Sequence, residues 1–293
     1  MFVKKCILSA FSYIKKFFSK QANLKVNIVQ LSPNELLKGR CALITGGTSG
    51  IGFSIADAML RAGAEAVVIT GREQNRLDEA VNKLLSIDEK RKGKVFAQVM
   101  DVRKADSFES AFKEIQQKLG ERKISILCNN AGVQGAKFGS AKEGDFDNVM
   151  DTNYKGAFFL SQLVAAYMID NKIEGNILNI ASSSSIRPMG SAYALSKACI
   201  KEMTEGLAKY LIPYDIVVNG LAPGPTATPL MNKNSNSTIE HPTNPSGRFA
   251  VSEEIAQMAV VLTSGMGRMI VGSIVYMTGG AGNITYDDSK YIF

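Results

Sequence analysis

Tyr193 and Lys197 stand four residues apart in the run Tyr193-Ala194-Leu195-Ser196-Lys197, and the surrounding pattern is helical, so both side chains fall on one face within mutual reach. A phenol with a pKa of about 10 is a poor base at neutral pH, but a neighbouring ammonium favours the phenolate. Such a pair suits proton transfer. The spacing is common by chance and gains its weight from a second constellation upstream. There Thr45-Gly46-Gly47-Thr48-Ser49-Gly50-Ile51-Gly52 follows a β-rich apolar run and opens a helical one. Glycines at such a junction permit a tight turn, the approach of backbone N–H groups to a pyrophosphate, and close packing of helix on strand. An ordinary strand-to-helix loop can also carry such glycines, but a strand before and a helix after favour a dinucleotide site.

The choice of dinucleotide can be argued from charge. NAD enzymes carry an Asp or Glu about 20 residues past the glycines to bond the ribose 2′-hydroxyl. Here that position is Gly71, followed by Arg72. A carboxylate would repel a 2′-phosphate, whereas a guanidinium offers it a charged planar fork and can stack on adenine. NADP is the expected cofactor.

The elements that must hold these residues are legible from periodicity. Beyond about residue 39, short β-rich runs alternate with longer helical stretches, the pattern of a parallel sheet wrapped by helices. Strands are expected at Cys41–Thr45, Ala66–Thr70, Val95–Met100, Ile124–Cys128, Gly175–Ala181, Ile216–Gly220 and Ser273–Met277. Helices are expected near Ile51–Arg61, Gln74–Leu85, Ala105–Lys118, Asp145–Ile169, Ala192–Leu211 and Ser252–Ser264. The fold class is therefore α/β: a single doubly wound Rossmann-type domain over 39–293 with a mostly parallel seven-stranded sheet. The polar segment Pro225–Gly247 is too long for a simple connection and reads as a lid or substrate-binding loop.

The T-G-x-x-x-G-x-G spacing, the later Asn129-Asn130-Ala131-Gly132 and the Tyr193/Lys197 pair occur in an order that resembles the short-chain dehydrogenase/reductase family over about residues 39–282. The resemblance implies that Thr45, Gly46, Ser49, Gly50, Ile51 and Gly52 form the cofactor turn and that Asp101-Val102 faces the adenine. It further implies that Asn130, Ala131 and Gly132 border the cofactor, and that Pro223, Gly224 and Thr228 belong to the loop closing over the nicotinamide. Tyr193 then gives a proton to a carbonyl oxygen as hydride arrives, Lys197 also holds the nicotinamide ribose, and Asn153 completes a proton relay through water. The serine that polarises the carbonyl aligns with Ser182, which lies 11 residues before Tyr193. Ser183 and Ser184 are alternatives. The family also pairs the helices bearing Asn153 and Tyr193, so a homodimer or homotetramer is expected.

Composition excludes other classes. Residues 1–38 carry seven lysines against Glu35, which leaves +1 of the formal +7 for the body, too little to line a nucleic-acid groove. The four cysteines are dispersed and have only His241 as an imidazole companion, so no metal site is expected and reduced thiols in a cytoplasmic protein are. His241 itself reads as a surface group or at most a substrate contact. No run approaches the roughly 20 apolar residues of a membrane span. Val3, Ile7, Ala10, Phe11, Ile14 and Phe18 share one face of a basic amphipathic helix within an extension, 1–38. That stripe is expected to pack on protein, with peripheral contact between residues 1–20 and an anionic membrane as the alternative. The reaction expected is reduction of a carbonyl or oxidation of an alcohol on a small polar substrate. A 3-oxoacyl-thioester reductase and a regulatory NADP binder without turnover are the alternatives.

Overall fold

The computed structural model describes residues 32–231 and 238–283. The expected amphipathic helix lies outside the described residues, as does part of the Pro225–Gly247 loop. The compact unit begins at Pro33 rather than at residue 39. Leu37 is fully buried, its N–H bonds the carbonyl of Ala62 at 2.8 Å, and Lys38 bridges Ala64, so apolar burial draws this short segment into the body.

Seven parallel strands form one sheet: β1 (Cys41–Thr45), β2 (Ala66–Gly71), β3 (Val95–Val99), β4 (Ile124–Asn129), β5 (Gly175–Ile180), β6 (Ile216–Pro223) and, last in the chain, β9 (Ile274–Met277). Their order is β3-β2-β1-β4-β5-β6-β9. A separate two-stranded ribbon joins β7 (Thr226–Ala227) to β8 (Ala250–Val251). The helices are α1 (Gly50–Arg61), α2 (Gln74–Ile87), α3 (Phe108–Leu119), α4 (Glu143–Met150), α5 (Gly156–Asp170), α6 (Ala192–Leu211) and α7 (Ser252–Thr263).

The central strands β1, β4, β5 and β6 are buried along their whole length, as expected of a parallel sheet covered on both faces. Side-chain alternation sorts them into two layers. Ala42 and Ile44 of β1 point into a core shared with α1, α2 and α7, whereas Cys41 and Leu43 point into one shared with α3, α5 and α6.

Two departures from the expected elements bear on the site. The single helix expected at Asp145–Ile169 is instead α4 and α5 joined by a π-helical turn at Asp151–Lys155. The turn lets Asn153 reach sideways to the backbone of Val133, and it places Gly156 so close to β3's continuation that a Cβ there would stand 2.3 Å from the carbonyl oxygen of Val102. Strand β6 runs past Gly220 to Pro223 because β9 supplies partners up to Pro223↔Met277. That extension carries Pro223 and Gly224 to the rim of the cavity described below.

Candidate active site

Between β1 and β4 the strand order reverses, and a crevice opens outside the carboxyl ends of the strands at that switch point. The cavity there has a volume of about 390 Å³. The turn after β1 forms its floor. Gly46 and Gly50 adopt φ of +65° and +54°, which L side chains rarely take. A Cβ on Gly52 would lie 2.4 Å from the Gly46 carbonyl oxygen, so this position admits only glycine without movement of the backbone. Ser49 precedes α1 with extended backbone and no capping bond from its side chain, which leaves the first N–H groups of α1 directed at the cavity.

Thr45 and Gly52 do not line the cavity; they shape the turn. The hydroxyl of Thr45 accepts the N–H groups of Asn130 and Ala131, both at 3.0 Å, while the Asn130 amide donates to the carbonyls of Thr45 at 2.9 Å and Gly46 at 3.1 Å. Gly46, Ser49, Gly50, Ile51, Asn130, Ala131, Gly132, Pro223, Gly224 and Thr228 all line the cavity wall. This cradle of glycine and backbone donors fits a pyrophosphate.

Arg72, Asp101 and Val102 line the end of the cavity beneath β2 and β3, and Arg76 and Glu73 join them there. The Asp101 carboxylate is gripped by Arg103 at 2.6 Å, which holds its pKa below the usual carboxylate value. Arg76 was not expected from the sequence. It stands in the first turn of α2, and only the packing of α2 beside β2 turns a surface-type arginine into a cavity residue.

The other end holds the reacting groups. Ser191 caps α6 by accepting the N–H of Ala194 at 3.2 Å, and this starts the helix where Tyr193 and Lys197 face the cavity. Lys197 is almost fully buried, donates to the Ile180 carbonyl at 2.7 Å, and lies 5.9 Å from the centre of the Tyr193 ring. Ser182 lines the cavity and hydrogen-bonds the Tyr193 hydroxyl; Ser183 and Ser184 do not line it. Ser184 instead backs Ser182, its N–H donating to the Ser182 hydroxyl at 3.1 Å. Asn153 stands behind the wall, donating to the Val133 carbonyl and the Ser196 hydroxyl, each at 3.0 Å. Its side chain is spent on holding the π-turn against α6, so any part in a proton relay falls to its backbone or to water.

The electrostatics depart from the expectation for Tyr193. Burial pushes the phenol above its ordinary pKa, and the bond from Ser182 opposes that shift without reversing it. Burial also brings Lys197 down to about 8. The tyrosine in this site is thus protonated at neutral pH, the form that donates a proton.

Residues missed by sequence reasoning include Thr48, Thr152 and Gln134, whereas Leu230 and Met231 stand in the Pro225–Gly247 segment expected to serve as a lid or to bind substrate. The Gln134 amide approaches the Met231 sulfur at 3.2 Å across the cavity mouth, a contact between loops 97 positions apart that no local pattern announces. His241 does not line the cavity; its ring packs on Phe249 at 4.5 Å. Among the described residues no group of three or more His, Cys, Asp or Glu side chains could hold a metal, and no helix is long and apolar enough to cross a membrane.

Comparison with known proteins agrees with this geometry. The profile of the family described as short chain dehydrogenase matches residues 40–239. A 3-oxoacyl-[acyl-carrier-protein] reductase of Thermotoga maritima is 36% identical over 83% of this chain and 98% of its own. The crystal structure of a gluconate 5-dehydrogenase from Burkholderia cenocepacia in complex with NADP and tartrate is 30% identical, with a TM-score of 0.74 over 84% of this chain and 97% of that one. The structure of a 3-ketoacyl-(acyl-carrier-protein) reductase from Brucella melitensis complexed with NADH is 27% identical, with a TM-score of 0.74 over 83% of this chain and 98% of that one. A glycine cradle and a tyrosine-lysine pair facing one crevice, with matches that span nearly the full length of these relatives, lead to one assignment: the chain belongs to the short-chain dehydrogenase family, whose members bind NAD(P) and interconvert CH–OH and C=O groups.

Proposed function

We propose that the protein is an NADPH-dependent carbonyl reductase, or the reverse alcohol dehydrogenase, acting on a small polar substrate. The observation that carries the reading is one cavity with Tyr193, Ser182 and Lys197 at one end and two arginines, Arg72 and Arg76, at the other. When bound, the dinucleotide supplies or accepts a hydride at the substrate carbon. Ser182 donates a hydrogen bond to the carbonyl oxygen, Tyr193 delivers its proton there, and Lys197 holds positive charge beside the phenol and reaches the sugar of the bound cofactor. Asn153 keeps the π-turn against α6 and so sets the distance between the two catalytic helices. Gly132 shares this pocket, since a Cβ there would lie 3.5 Å from the Asn153 amide oxygen and 3.6 Å from the Lys197 ammonium. The test is a panel of carbonyl substrates followed by NADPH absorbance; no consumption by any of them would remove the proposal.

Preference for NADP over NAD rests on the same two arginines and on the lack of a carboxylate at Gly71, although Glu73 faces the cavity beside them. A charge-assisted bond to phosphate contributes about 1.5–3 kcal/mol. Arg72→Ala is therefore expected to weaken NADPH binding by roughly ten- to a hundredfold and to leave NADH binding little changed. Titration of both cofactors checks this, and equal affinities in the parent protein would end the argument.

A second reading, reduction of a 3-oxoacyl thioester, is favoured by the half-exposed Leu230 and Met231 on the cavity wall, which could bed an acyl chain. A 3-oxoacyl thioester in the substrate panel separates the two readings.

Assembly as a dimer or tetramer is supported by Phe146 on α4, Phe158 and Phe159 on α5 and Leu195 on α6, all exposed on the helices that carry Asn153 and Tyr193. Pairing these faces removes apolar surface from water. Light scattering at micromolar concentration is expected to give at least a dimer, and a monomer would count against the pairing.

A further inference from the structure

Four consecutive serines, Ser182 to Ser185, follow β5, and two of them bond the first. Ser185 donates to the Ser182 carbonyl at 2.7 Å, which fixes the backbone there. Ser184 meets the Ser182 side chain twice: its N–H donates to Ser182 Oγ at 3.1 Å, and the two hydroxyl oxygens stand 3.2 Å apart. Among the described residues, Ser182 is the one hydrogen-bond partner of the Ser184 hydroxyl. Ser184 does not line the cavity, so these contacts reach the reacting groups only through Ser182, which lines it and bonds Tyr193.

A serine hydroxyl has one proton and two lone pairs. To polarise a carbonyl, Ser182 must aim its proton at the substrate, yet the oxygens of Ser184 and Tyr193 also lie within its reach. The Ser184 N–H already engages one lone pair of Ser182. Either hydroxyl can supply the proton between the two serines, because both rotate. A carbonyl only accepts, so a bound substrate selects the arrangement in which Ser184 donates. We propose that Ser184 is a positioning residue for the reaction: its hydroxyl engages the second lone pair of Ser182 and so commits the Ser182 proton to the substrate carbonyl. Tyr193 is then free to turn its own proton to the same oxygen. Successive donors polarise one another, and the gain is largest as the carbonyl oxygen takes on negative charge. The proposal rests on the reductase reading above and adds a residue to that same site.

The first test uses the full-length protein with ¹³C at the tyrosine ring Cζ, loaded with NADP, and involves no substrate. The Tyr193 signal, identified by its loss in Tyr193→Phe, is followed against pH. A phenolate at Tyr193 accepts the Ser182 proton, and the Ser184 donor strengthens that bond, so removing the donor disfavours the charged form. In Ser184→Ala, which keeps the N–H, the titration midpoint is expected to move to higher pH. Ser184→Thr should bring it back, and in a Ser182→Ala background Ser184→Ala should not move it. Kinetics on a substrate found in the panel give the second readout. There Ser184→Ala is expected to lower kcat by about three- to tenfold with KM little changed, and to cost nothing further once Ser182 is alanine. An unmoved midpoint, one that Ser184→Thr does not bring back, or a loss of kcat that persists without Ser182 overturns the proposal; the last outcome, with a lower melting temperature, would make Ser184 a prop of the turn alone. No turnover across the panel would instead remove the reductase reading, and the titration still decides whether Ser184 acts through Ser182.

Discussion

Tyr193→Phe is expected to lower kcat by about 10²–10⁴-fold while NADPH still binds. The substitution removes the one proton aimed at the carbonyl oxygen but keeps the ring that fills the wall of the cavity. Burial raises the phenol pKa in the free enzyme, so at neutral pH the group is present as the acid and its loss cannot be masked by partial ionisation. Ser182 loses its tyrosine partner in the variant but keeps the N–H of Ser184 at 3.1 Å, so the local backbone should hold its shape. Steady-state kinetics on any substrate found in the panel, together with a fluorescence titration of NADPH, separates the two effects. Undiminished turnover in Tyr193→Phe would exclude the proposed mechanism.

Lys197→Met is expected to abolish turnover and weaken NADPH binding, yet to make the cofactor-free protein more stable. Lys197 is buried and its pKa falls from 10.5 to about 8. The sign follows from proton counting. Below about pH 8 the lysine is charged in both folded and unfolded states, and the folded state bears the full desolvation penalty. Between about 8 and 10.5 the folded protein has released a proton that the unfolded chain still binds, so the parent protein gains stability as pH rises through that window. Above it both forms are neutral.

The advantage of Lys197→Met should therefore be greatest at neutral pH, on the order of 1–3 kcal/mol, and should shrink through that window. Loss of the 2.7 Å bond to the Ile180 carbonyl offsets part of the gain. Thermal melts of both proteins at neutral and alkaline pH measure the difference. A variant less stable than the parent at neutral pH would show that the carbonyl, not desolvation, dominates at this position. Stability withheld at a functional lysine is the usual exchange between function and folding.

The sequence by itself determined whatever depends on neighbours along the chain. Strand runs and helical periodicity are local, so the seven strands and the doubly wound class follow from them. The turn from Thr45 to Gly52 is legible because glycine is demanded by φ and by clearance, as the +65° at Gly46 and the 2.4 Å gap at Gly52 show. Tyr193 and Lys197 share a helix face at any place where that helix forms. The tertiary structure alone decided what depends on distant partners. That Ser182, not Ser183 or Ser184, lines the cavity and meets the Tyr193 hydroxyl depends on how α6 packs, and the direction of the Tyr193 shift is set by burial. The π-turn at Asp151–Lys155 answers to Val133 and Ser196, not to its own residues. Arg76 looks like a surface charge in the chain, and only packing of α2 beside β2 brings it to the cavity. Periodicity reports which way a side chain faces, but desolvation and partner geometry are properties of the assembled volume.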